Sequence, residues 1–94
     1  MQAITLEEKS LVAANDPSQV PIGDSGRLWA SLVRFVAETP GAKDTCRIAV
    51  YWNEVEYRKD GMTESAARAL WTSMPSAIGM PWLRVWGFDK VQDP

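Results

Sequence analysis

The run LWASLVRFV, Leu28 to Val36, constrains the fold more than any other part of the chain. Leu28, Trp29, Leu32, Val33 and Val36 recur at i, i+1, i+4, i+5 and i+8, which is the broad apolar face of a helix, and Phe35 widens it. Pro40 and Gly41 stop the run. The spacing predicts a central helix here, and the remaining segments must pack around it. With 94 residues, 46% of them hydrophobic and 23% charged, the chain has one small core to build in one domain.

The other segments divide at proline, glycine and capping residues. Thr5 stands three residues before Glu8, the capping-box spacing, so a short helix is expected at about residues 6–14 with Leu11 and Val12 inward. Pro17, Pro21 and Gly23 mark a loop. In TCRIAVYWNEVEYRK, Ile48, Val50 and Trp52 alternate with Ala49 and Tyr51. The β-branched and aromatic content favours a strand, although Ile48, Tyr51, Trp52 and Val55 also fit one helix face. Asp60-Gly61 then turns the chain. Thr63 caps a helix with Glu64 in its first turn, Ala66, Ala67, Leu70, Trp71 and Met74 line its buried face, and Pro75 ends it. WLRVWGFDKV alternates Trp82, Arg84, Trp86 and Phe88 against Leu83 and Val85 and reads as a strand. The expected fold is therefore α+β: about three helices with a short two- or three-stranded sheet, in the order α-α-β-α-β, with an all-α bundle as the rival.

Composition excludes more chemistry than it suggests. The chain contains no histidine and one cysteine, Cys46. Histidine is the commonest general base and metal ligand, so Ser-His-Asp and Cys-His catalysis cannot be assembled within this chain, nor can most zinc sites. GDSG, Gly23 to Gly26, surrounds the nucleophile in serine proteases. Here Asp24 or Ser25 is expected to cap the helix that follows. Cys46 has no second cysteine to pair with and is expected to be a small buried residue. It agrees with a cytoplasmic setting, as does the lack of a secretory pattern. No apolar stretch approaches the roughly 20 residues that span a bilayer. The net charge of −2, from ten basic and twelve acidic residues, gives no polybasic footprint.

Five tryptophans are many for so small a core, and arginine outnumbers lysine six to four. Tryptophan, tyrosine and arginine are enriched in binding hot spots. Trp29 and Trp71 fit buried helix faces. Trp52, Trp82 and Trp86 are expected to be partly exposed, and with Arg58 and Arg84 they form the candidate partner-binding set. The function this implies is a non-enzymatic protein-interaction module, an inhibitor or adaptor that occludes a larger protein assembly. Small phage-encoded inhibitors of host defence, anti-CRISPR proteins among them, have this size and this lack of motifs, but no residue pattern ties the chain to them. One alternative is a single-stranded nucleic-acid-binding domain that stacks bases on tryptophan and arginine. Another is a metal-dependent enzyme using Glu54, Glu56 and Asp60. No cofactor is expected. A protein partner is expected, a homodimer by sheet extension is possible in principle, nucleic acid ranks lower and no membrane association is expected.

Overall fold

The computed structural model describes residues 2–13, 28–52 and 55–91. The fold is dominated by an antiparallel sheet. Strands β1 (Gln2–Ser10), β3 (Leu28–Val36), β4 (Thr45–Trp52), β5 (Val55–Met62) and β7 (Asp89–Lys90) form it, in spatial order β1-β3-β4-β5-β7. A second, two-stranded parallel pair joins β2 (Val12–Ala13) to β6 (Ala77–Ile78). Two short helices, α1 (Glu64–Ser73) and α2 (Met80–Val85), complete the described elements. This overturns the expected three helices with a short sheet, and equally the all-α bundle.

The central run is the largest correction. Leu28–Val36 is strand β3, paired with β1 on one side and β4 on the other. Leu28, Ala30 and Leu32 enter the core, while Trp29, Val33 and Phe35 point to the opposite face and stay half-buried. A strand carrying apolar residues on both faces reads as a continuous apolar run, and its i, i+4 coincidences imitate a helix. Whether Asp24 or Ser25 caps anything lies outside the described residues, but the helix they were expected to start is a strand.

In place of the helix expected at about 6–14, the described residues give the end of β1 and the short strand β2. Ile4 faces Arg34 across the pair, and after a bulge between Thr5 and Glu7, Glu7 faces Leu32 and Lys9 faces Ala30. The bulge shifts the phase by one residue. Ile4 and Leu6 are partly buried at even spacing, whereas Lys9 and Leu11 are covered at odd spacing and Glu7 stays exposed, so no period of two survives in the sequence.

Elsewhere local chemistry is followed closely. Thr39-Pro40-Gly41-Ala42 is a turn closed by the Ala42 N–H donating to the Thr39 carbonyl, with Gly41 at φ 85°. Proline second and a left-handed glycine third are the type II requirements. Thr45–Trp52 and Val55–Met62 form the β4–β5 pair, Trp52 opposite Val55, so the ambiguous segment supplies two antiparallel strands where one was expected. Asp60 and Gly61 do not turn the chain. They bulge β5 between Lys59 and Met62, with Gly61 at φ 73°. Thr63 Oγ1 caps α1 by accepting from the Ala66 N–H at 3.1 Å.

Helix α1 packs Ala67, Leu70 and Trp71 on the β3–β5 face, and Met74 follows them into the core. The core contains Leu32, Ile48, Val50, Trp52, Ile78 and Leu83, all at most 1% exposed. No helix among the described residues is long and apolar enough to cross a membrane.

Candidate functional site

The segment expected to be the second strand is α2. Pro81 sits in its first turn, where a missing N–H costs nothing. Its end is a Schellman motif: the Phe88 N–H donates to the Leu83 carbonyl at 2.9 Å and the Gly87 N–H to the Arg84 carbonyl at 3.1 Å. Gly87 at φ 78° adopts the left-handed conformation that this ending requires. Leu83 and Phe88 are the buried partners that accompany it, at 0% and 6% exposed.

Helical rather than extended geometry redistributes the side chains. Trp82 and Trp86 are four residues apart and lie on one side, ring centroids 6.0 Å apart, and Trp82 also meets Phe88 at 5.5 Å. Trp82 is half-buried against the core, Trp86 is 44% exposed and Val85 is 81% exposed. Arg84 and Pro81 are exposed on the same short helix. The result is an apolar and cationic corner on a helix of fixed position. Lys59 fastens it by donating from Nζ to the Trp86 carbonyl at 2.9 Å, at the negative end of the helix dipole.

Of the five residues singled out in the sequence, Trp82, Arg84 and Trp86 lie on α2 and its cap, where Trp82 and Trp86 meet and Arg84, two residues from each, points to another side. Trp52 does not join them. It is 1% exposed, because its parity on β4 matches that of Ile48 and Val50, so the expectation of partial exposure is overturned. Arg58 lies on β5 opposite Asp89 and faces away from the helices, 3.0 Å from Glu56. Sequence reasoning passed over Val85, Lys59 and Lys90. Leu83-Val85 next to Gly87-Phe88 was the available signal, because a helix ending at Gly87 must turn Val85 outward if Leu83 is inward.

An open cleft of ≈ 530 Å³ adjoins this corner, lined by Arg58, Lys59, Asp60, Gly87, Asp89 and Lys90. Tyr57 lies at the corner's inner edge. Burial pushes its hydroxyl up, partly opposed by the charge of Arg84.

The sheet face opposite the helices is organised differently. Trp29 and Tyr51 stack at 4.2 Å between centroids and 17° between planes. The Arg47 guanidinium lies 4.6 Å from the centroid of the Phe35 ring and also donates to Asp60. Burial, and then the Glu56 carboxylate, raise the Tyr51 hydroxyl above its ordinary value. Of the carboxylates considered for a metal-dependent enzyme, Glu56 and Asp60 are each held by an arginine, and Glu54 lies outside the described residues. No group of three potential metal ligands occurs among the described residues. Cys46 is buried, and burial pushes its thiol up, away from the reactive thiolate.

Comparison of the chain with protein-family models, with curated proteins and with solved structures finds no match, so the argument for function rests on the corner itself.

Proposed function

We propose that the chain is a non-enzymatic protein-interaction module, an inhibitor or adaptor that covers part of a larger protein through the α2 corner. The observation that carries this reading is the pairing of Val85 and Trp86, 81% and 44% exposed, on a helix held rigid from below. A scattered surface apolar residue needs no explanation. Here an exposed valine, a tryptophan, a second half-buried tryptophan and an arginine share one short helix and its cap, and tryptophan and arginine are residue types that dominate binding energy. Rigidity adds to the argument. The Schellman ending, the Lys59 contact and the buried Leu83 leave little ordering entropy to lose on association.

The test is affinity capture from a lysate of the source organism, with wild type beside a Val85→Ser, Trp86→Ala variant. Both side chains lie outside the core, so the variant keeps its fold while losing the Trp82 contact and about 1–2 kcal/mol of stability, checked by circular dichroism and urea unfolding. Loss of captured proteins by the folded variant is the expected result. Capture of the same proteins by both forms rejects the reading.

A further inference from the structure

We propose that the α2 corner and its cleft take an extended acidic segment of a partner protein, one that carries a single large apolar side chain. The proposal rests on the protein-binding reading above and adds the chemistry of what is bound.

Charge is the first argument. Lys90 lies opposite Tyr57 in the β5–β7 pair and shares its face of the sheet, and Lys59, two residues beyond Tyr57, shares it too. Arg84 is near enough for its charge to act on the Tyr57 hydroxyl. Three cations thus gather around the last turn of α2. Lys59 is used on a neutral carbonyl, and neither Arg84 nor Lys90 has an ion-pair partner among the described residues. Two carboxylates also line the cleft, but Asp60 is held by Arg47, and Asp89 stands opposite Arg58 in register. A chain of net charge −2 therefore presents a local positive field at this corner.

Shape is the second. β7 covers β5 only at Tyr57 and Arg58, with one further bond from the Val91 N–H to the Glu56 carbonyl. Beyond Arg58 the outer edge of β5 has no strand partner among the described residues. The cleft opens at that point. An extended main chain can run along such an edge. Gly87 contributes no side chain to the wall, and a Cβ there would meet Lys59 Nζ at 3.1 Å. Trp86 directly precedes Gly87 of the cleft wall, its carbonyl accepts from Lys59, and at 44% exposed it is open to contact with one apolar side chain.

A nucleic acid fits less well. Trp29 and Tyr51 spend one ring face each on the other rather than offering a stacking platform.

The probe is a short synthetic peptide of aspartate and glutamate around one phenylalanine. Its controls are a lysine-for-acid version, an alanine-for-phenylalanine version and a single-stranded oligodeoxythymidine. Binding is followed by amide and indole NMR shifts of the full chain. The acidic peptide is expected to move the amides of Lys59, Gly87 and Lys90 and the Trp86 indole, and to weaken as salt rises. It is expected to bind about tenfold more weakly to an Arg84→Glu, Lys90→Glu variant, with Lys90→Ala as the milder substitution if the double reversal disturbs the fold. No movement at those positions, equal binding of the lysine version, or tighter binding of the oligonucleotide overturns the proposal. In lysate capture, partners lost with Trp86→Ala but kept by the charge-reversed chain reject the acidic segment and leave the protein-binding reading standing. Partners kept by Trp86→Ala reject the reading itself.

Discussion

The two faces of the sheet are built from the same strands by different means. On the helix-covered face, β3, β4 and β5 contribute Leu32, Ile48, Val50, Trp52 and Tyr57, and α1 and α2 close over them. Stability there comes from size and exclusion of water. On the other face, alternate residues of those strands are matched in pairs: Trp29 with Tyr51, Phe35 with Arg47, Arg47 with Asp60, Glu56 with Arg58. Pairing lets a face stay partly wet while its rings and charges remain ordered. The difference teaches that tryptophan count alone does not locate a contact surface. Trp52 is core, Trp29 is stacked, and only Trp86, on the helix, is left more than a third exposed among the described residues.

Substitutions on the two faces separate these mechanisms. Trp52→Ala leaves a large cavity and is expected to cost about 3–5 kcal/mol in urea unfolding. A cost near that of an exposed residue would mean that the covered face is not packed as described. Tyr51→Ala, one residue away on the opposite face, loses its stack on Trp29 and is expected to cost about 1–2 kcal/mol. Tyr51→Phe should recover most of it. Arg47→Ala removes the contact with Phe35 and the pair with Asp60. At this partly exposed site the expected loss is about 0.5–1 kcal/mol, shrinking in high salt.

The smallest effect concerns the charge chain at the edge of the covered face. There Arg68 contacts Glu7 and Glu64, and Arg34 contacts Glu64 and Asp44. Hydrogen bonds from Arg68 and then Arg34 hold the Glu64 carboxyl below its ordinary value. A depressed carboxylate contributes stability that is present above its unfolded value, about 4.3, and is lost as pH falls through the folded one. Glu64→Gln should therefore unfold like wild type at strongly acid pH and be slightly less stable at neutral pH. Identical pH profiles for the two would remove Glu64 from the account.

Where local chemistry dominated, the fold was legible. Thr63, Glu64 and the spacing of Ala67, Leu70 and Trp71 are enough to place α1, and Ile48, Val50 and Trp52 mark β4. Where tertiary context dominated, it was not. β3 is apolar on both faces because the core covers one and cross-strand ring contacts partly cover the other, and the bulge in β1 erases the alternation that would have identified it. Pro81, Gly87 and Phe88 are the start and stop signals of α2, but the alternation from Trp82 to Phe88 competes with them and points to a strand. The candidate site was legible in residue type, since Trp82, Arg84 and Trp86 stood out before their arrangement was known. It was not legible in geometry, because Val85 and the two lysines enter only once the segment is helical.

The lysines that end the helices have a consequence for folding order. Lys9, in the first strand, donates to the Trp71 carbonyl in the last turn of α1 at 2.8 Å and lies 4.4 Å from the Trp71 ring centroid. Burial lowers its ammonium, with Glu7 opposing. Lys59 serves α2 in the same way. Neither helix can satisfy its terminal carbonyls this way until a distant strand has docked. The end of α1 thus waits on a strand 62 residues earlier in the chain, and that long loop closure slows folding. Amide exchange in the final turn of α1 should accordingly report on the docking of β1 rather than on local fraying.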